Sequence, residues 1–393
     1  MACFLSAVNP RTALIVGAGI GGLSAAIALR RAGWQVRVFE RADSPRELGF
    51  GVALAPNAVA ALRELGVADT VLARGYAPQR FVGEIRRMSG VVVKRATFRP
   101  RETLGGPLMI ALRPALHGAL LDAVGTDAIT LRAEAVGFTA DDRRVTLRFA
   151  GGEEVAGDVL IGADGVHSVL RRSLHPDEPP PRVSGLVALR GAVHGVNDRL
   201  GDLSAVYYMD RGVEAVLIRA SETGIYWFLS LARELVPDGL RDPAAIRAHM
   251  SPQFDATFQA VAGVTDDLRY DVLVDRDPIA SWGRGVMTLL GDAAHPLLPQ
   301  TGQGAAQAMV DGVTIGRMLA GDVDVARALR GYERERQPRV RALLAQGRRT
   351  ARVMGSTNPL FCAIREQAVR IIPVTPMVKL MARINRRAGT DVN

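Results

Sequence analysis

The sequence predicts an α/β protein whose parallel sheet is interrupted by a mainly antiparallel sheet and followed by a helical C-terminal region. Three observations carry that expectation. The chain opens with strand, glycine turn, helix and strand in quick succession. Residues 183–231 then change to long alternating apolar segments that include Tyr207, Tyr208, Tyr226, Trp227 and Phe228, as an antiparallel sheet would. A short apolar run at residues 286–290 resumes the opening pattern, and helical periodicity dominates from Gly304 onward.

Each element has a local reason. Residues 12–16 are a short apolar strand, and residues 17–22 are a glycine turn. Residues 23–31 read as a helix stopped by Gly33, and residues 35–39 alternate as a second strand. Residues 56–65 form a helix with Gly66 as its stop. Residues 114–124 form another, with Pro114 in the first turn. Strands follow at 129–138 and 145–149, joined by the charged turn 141–144, and at 159–161. Residues 176–181 hold four prolines and break the pattern. No internal repeat or low-complexity tract is present.

Composition excludes several classes. The chain has 393 residues, 48% hydrophobic and 23% charged, which is ordinary globular usage and too much chain for one small domain. Cys3 and Cys362 are too few for a disulfide framework or a cysteine metal site, and no metal is expected. The uncharged run at residues 13–29 is too short for a comfortable membrane span and is rich in glycine, so it reads as a buried strand-turn-helix. A cytoplasmic protein is expected. The formal charge is +9, and all basic residues except Lys94 and Lys379 are arginine. Glu333 and Glu335 interrupt the arginine-rich stretch 327–352, whose apolar positions recur at helical spacing. A solvated helix face therefore fits better than a nucleic-acid surface. The basic, amphipathic stretch 359–387 is expected to dock on the protein core rather than on a membrane.

The chemistry begins with Gly17-Ala18-Gly19-Ile20-Gly21-Gly22, a G-x-G-x-x-G between a strand and a helix. Gly17 permits the tight turn, Gly19 lets the backbone approach a pyrophosphate, and Gly22 lets the helix sit close to the strand. The helix N-terminus offers N–H groups and partial positive charge to phosphates. Glu40, followed by Arg41, ends the second strand, where a carboxylate can accept hydrogen bonds from a ribose. Two further glycine-aspartate segments follow buried strands: Gly162-Ala163-Asp164-Gly165 and Gly291-Asp292-Ala293-Ala294-His295-Pro296. Open sheets bind ligands at such strand ends. Downstream, Pro299-Gln300-Thr301-Gly302-Gln303-Gly304-Ala305 is a glycine turn that opens another helix.

In this combination and order the sequence resembles the group A flavoprotein monooxygenases, the single-component FAD aromatic hydroxylases that include salicylate and para-hydroxybenzoate hydroxylase. The resemblance covers most of the chain. It includes the Leu54-Ala55-Pro56-Asn57 helix start, Arg113 with Leu116 and Leu120, the region around Arg190-Gly191, and Tyr226-Trp227. It implies a Rossmann-like FAD-binding domain interrupted by a mainly antiparallel β-sheet substrate domain, with a C-terminal helical region. The expected division is 10–75, 100–180 and 270–340 for the discontinuous FAD-binding domain, 76–99 and 181–269 for the sheet domain, and 341–393 for the helical region. Non-covalent FAD is implied, with NADH or NADPH as transient reductant. Gly17, Gly19, Gly22, Glu40, Arg41, Arg113, Asp164, Asp292, Gly304 and Ala305 would hold the cofactor. Asp292 would take the ribityl hydroxyls, Arg113 the FAD chain or phosphates, and Asp164 would support both the FAD and NAD(P)H grooves. Pro299, Gly302 and Gly304 would surround the flavin and its peroxide.

The implied reaction hydroxylates a small aromatic or heteroaromatic molecule with O2 through a flavin C4a-hydroperoxide. Tyr208 and Trp227 are named for the pocket wall, with Tyr207, Tyr226 and Phe228 as further candidates; alternation lets only about half of them face a substrate. Arg190 and Arg211 are candidates for an anionic substrate group, while His295 reads as structural. A monomer or homodimer is expected. A flavin halogenase fits poorly, because Lys94 and Lys379 do not fit its catalytic lysine and residues 225–228 are not its tryptophan segment. An epoxidase or prenyl-chain reductase acting on an alkene, and a non-catalytic nucleotide-binding protein, remain as alternatives.

Overall fold

The computed structural model describes residues 11–44, 50–376 and 378–379. Cys3 and Arg383–Arg387 lie outside them. The fold is mixed α/β, and its two largest sheets are themselves mixed.

The opening strand Thr12–Val16 lies centrally in a six-stranded sheet. It pairs parallel with Gln35–Phe39 on one side and with Val159–Gly162 on the other. Val159–Gly162 in turn pairs parallel with Met287–Leu289, and the short strand Gly283–Arg284 closes that edge antiparallel. Ala13, Leu14 and Ile15 have no exposed surface. That burial on both faces is what a parallel sheet covered by helices demands, and it explains the unalternating sequence. The helix Ile20–Arg31 packs on this sheet, and the helix Gly304–Met318 packs on that helix. Their contact is close because Gly312 and Gly316 bring the second helix against Ser24, Ala25 and Ala28.

The expected single strand at 129–138 is two strands. Ile129–Thr130 joins the parallel sheet beside Val38 and Phe39, whereas Ala135–Ala140 belongs to a separate three-stranded sheet. The chain changes sheets between them, with Arg132 at φ 56°. The two-stranded sheet of Gly51–Leu54 and Met109–Leu112 has no clear sequence signal.

The long alternating segments build a seven-stranded sheet. Its pairings are antiparallel except between Phe81–Arg86 and Ala205–Asp210, which run parallel. One face packs on the helices Pro243–Met250 and Ala256–Ala262, which the sequence reading passed over. The helix starts at Asp242 and Asp255 were legible: each aspartate caps its helix, accepting from the backbone N–H of Ala245 and Phe258 respectively. The C-terminal region is the helix Val325–Met354 followed by Pro359–Ile371. Among the described residues, no helix is long and apolar enough to cross a membrane.

Candidate active site

The glycine turn is built as its residues require. Gly17 has φ 104°, and a Cβ there would lie 2.4 Å from the Ala163 carbonyl oxygen. A Cβ on Gly22 would lie 1.9 Å from the Gly17 carbonyl oxygen. Both positions are closed to any side chain. Gly19 is the opposite: nothing lies within 4 Å of its Cβ position, and it starts the helix Ile20–Arg31 without a side-chain cap. Open space over uncapped N–H groups is what a pyrophosphate fits. Glu40 stands at the mouth. One of its carboxylate oxygens accepts from Ala18 N (2.9 Å), the other from Ala42 N (2.9 Å). Arg41 beside it is exposed.

A second cradle lies at Gly302–Gly304. Gly302 has φ 61°, Cβ positions on Gly302 and Gly304 meet nothing within 4 Å, and the helix beginning at Gly304 and Ala305 has no side-chain cap. The buried Gln303 accepts a hydrogen bond from Asn57 Nδ2 (2.9 Å). The Pro56–Glu64 helix start and this turn are thereby tied together, which sequence reading did not find.

The Gly291–Ala294 segment is held from behind. Asp311, with no exposed surface, accepts from Gly291 N (2.9 Å) and Arg336 Nε (2.7 Å), and its carboxylate lies 2.6 Å from His295 Nε2. Burial alone would raise the Asp311 pKa, but His295 and Arg336 outweigh it and hold the carboxyl below its usual value. The buried Arg171 donates to the carbonyls of Ala293 (3.1 Å) and Ala294 (2.8 Å) and to Glu178. Asp311, Arg336 and Arg171 sit in helices, where nothing local marks them as structural. Asp292 is the exposed residue between buried Gly291 and Ala293, at the C-terminal end of the parallel sheet. His295 is placed in this network.

Asp164, just past the end of the strand Val159–Gly162, is held at a helix start. Its Oδ1 accepts from Ser168 Oγ (2.5 Å) and its Oδ2 from the backbone N–H of Val169 (2.8 Å) and Leu170 (3.2 Å), so the carboxylate caps the helix Val169–Leu174. Burial raises its pKa against those bonds. Arg113 opens the helix Arg113–Val124, half-buried, with Leu116 and Leu120 inside the core.

The large sheet corrects the pocket-wall expectation. Tyr208 and Trp227 point to the helix-covered face: the Tyr208 hydroxyl donates to Asp255 (2.7 Å), and Trp227 Nε1 donates to Thr265 Oγ1 (2.9 Å). Strand alternation then turns Tyr207, Tyr226 and Phe228 to the other face. That face meets Gly51 and the segment leading into the second glycine cradle. The Tyr226 ring lies against the Gly51 backbone, Leu298 packs with Ala188 and Phe228, and Gln300 Nε2 donates to Ser230 Oγ (3.3 Å). Arg190 lies over the Phe228 ring and faces Asp271 at 3.5 Å, whereas Arg211 is exposed in the turn that follows strand Ala205–Asp210.

Two glycine cradles at helix N-termini, with an acidic residue ending the second strand, define a dinucleotide-binding α/β protein. The chain belongs to the FAD-binding domain family, whose match spans residues 11–347. It is 32% identical to the aurachin C monooxygenase/isomerase of Stigmatella aurantiaca over 92% of this chain and 94% of that protein. It is 34% identical to the 3-amino-4-hydroxybenzoate 2-monooxygenase PtnB3 of Streptomyces platensis over 88% of each chain. Among solved structures, HpxO of Klebsiella pneumoniae complexed with FAD and uric acid superposes with a TM-score of 0.88, at 28% identity, covering 96% of this chain and 97% of that one. The protein is thus an enzyme, an FAD-dependent monooxygenase of the group A aromatic hydroxylase type.

Proposed function

We propose that this enzyme hydroxylates a small aromatic or heteroaromatic ring, taking reducing equivalents from NADH or NADPH and an oxygen atom from O2. The carrying observation is the seating of the Pro299–Thr301 turn against the sheet face that holds Phe228 and Ser230, through the Gln300–Ser230 bond. Bound FAD supplies the hydride acceptance and oxygen activation that no side chain can.

The chain's own residues do the rest. Gly17, Gly19 and Gly22 receive the pyrophosphate at the first helix N-terminus, and Glu40 holds the ribose. Asp292 takes the ribityl hydroxyls, and Arg113 with Arg41 serves the anionic part of the cofactor. The positive end of the helix Gly304–Met318 stabilises negative charge on the flavin pyrimidine. Pro299, Gly302 and the aromatic sheet face exclude water from the reacting centre. The large sheet draws its strands from 81–98 and 182–275, so its last strand, Leu268–Asp275, runs past the expected boundary at 269, and the parallel sheet draws its strands from the segments before, between and after.

The test is a visible spectrum of the purified protein with NAD(P)H-dependent oxygen uptake across phenolic and heteroaromatic compounds. Bound flavin with substrate-stimulated uptake and an oxygenated product is expected. Flavin without oxygen consumption across the panel would refute the hydroxylase reading.

A further inference from the structure

One feature of the open sheet face is not absorbed by cofactor binding. Among the strands Ala205–Asp210, Val213–Arg219 and Gly224–Ala232, Glu214 is the carboxyl on that face. It lies directly across from Ser230 on one side and Met209 on the other. Ser230 accepts the hydrogen bond from Gln300, so Glu214 sits beside the turn that leads into the second glycine cradle. Two oxygens here are cut off from solvent and have no hydrogen-bond partner: Glu214 Oε2 and Gln300 Oε1. Buried polar atoms are paired in nearly all native structures, so two neighbouring acceptors call for donors from outside the chain.

Resting on the reading above, the geometry points to Glu214 and Gln300 as a specificity subsite that receives an O–H or N–H donor of an uncharged aromatic substrate and rejects a carboxylate. Both free atoms are acceptors, and a carboxylate placed against them would bring like charge into a desolvated space. Phe228 and Val216, in the adjacent cross-strand row, supply an apolar flank for the ring. Burial pushes the Glu214 carboxyl up to about 7, with Gln300 and Arg365 acting against it. The charged and titratable groups near it are Arg365, from the helix Pro359–Ile371, and Tyr207 on the neighbouring strand, while Arg190, over the flanking Phe228 ring, has its charge met by Asp271. As pH rises from 6 to 8, Glu214 becomes the better acceptor and repels an anion more strongly.

The experiment titrates the holoenzyme with 3-hydroxybenzamide and 3-hydroxybenzoate, which share a shape and differ in charge, following the flavin absorbance. At pH 8 the wild type should bind the amide at least about tenfold more tightly (roughly 1.4 kcal/mol), with the ratio falling towards pH 6, where Glu214 is mostly protonated. Glu214→Ala should lose most of that preference. Glu214→Gln, isosteric and uncharged, should flatten the pH dependence even where the alanine variant folds poorly. Equal or tighter binding of the benzoate by the wild type, an unchanged ratio in both variants, or no saturable amide binding would overturn the proposal. In those cases retained flavin and NAD(P)H-dependent oxygen uptake would leave the monooxygenase reading standing, whereas their absence in the wild type would sink that reading itself.

Discussion

Replacing Asp311 by Asn tests whether the buried network behind the Gly291–Pro296 segment holds the cofactor platform. Asp311 faces three donors, Gly291 N–H, His295 and Arg336, and both Asp311 and Arg336 are fully buried. Asparagine keeps the shape but removes the charge opposite Arg336 and presents an amide donor where one oxygen accepted. Breaking a buried ion pair on one side costs about 3–5 kcal/mol. Unfolding entropy of roughly 2 cal/mol/K per residue gives about 0.8 kcal/mol/K for this chain, so the midpoint should fall by about 4–6 °C. The assay is thermal unfolding with parallel measurement of bound flavin, and flavin content should fall with stability. Because the Asp311 carboxyl is held below its usual value of 3.8, its stabilisation is present above about pH 4 and is lost as pH falls further. The gap between wild type and Asp311→Asn should therefore narrow below pH 4. A double variant, Asp311→Leu with Arg336→Leu, should recover part of the loss, since neither charge is then left buried without its partner. A midpoint within 1 °C of wild type with full flavin would refute the reasoning.

The other predictions concern single contacts. Gly22→Ala should abolish flavin retention, because the added methyl would overlap the Gly17 carbonyl oxygen; a flavin-replete variant would show that the turn can relax. Asp292→Ala should weaken FAD retention, and unchanged flavin content and activity would remove the role assigned to Asp292. Tyr208→Phe should cost about 1 kcal/mol of stability by deleting the bond to Asp255 while leaving substrate KM unchanged. A raised KM with unaltered stability would return Tyr208 to the pocket wall.

Local chemistry made the nucleotide-binding half readable. A glycine between strand and helix reports its own constraint, because the space missing at Gly17 and Gly22 is set by backbone a few residues away. The same holds for short buried strands such as Thr12–Val16, whose unbroken apolar runs require burial on both faces. Period-2 alternation predicted an antiparallel sheet but not its phase. A shift of one residue exchanges the two faces, and that is how Tyr208 and Trp227 came to be expected where Tyr207, Tyr226 and Phe228 stand.

The sequence alone therefore determined the α/β class, the glycine turns and the carboxylates at strand ends, because each depends on residues close together in the chain. Tertiary structure decided which sheet face meets the Pro299–Thr301 turn, because that depends on which side the two aspartate-capped helices cover. It also decided that Arg171 and Arg336 are structural, since their partners lie in other elements, up to 123 residues away for the Arg171–Ala294 bond. Glu214 shows the same dependence most directly. On a strand it is one charged residue among many, and only tertiary packing leaves one of its oxygens buried and unpaired.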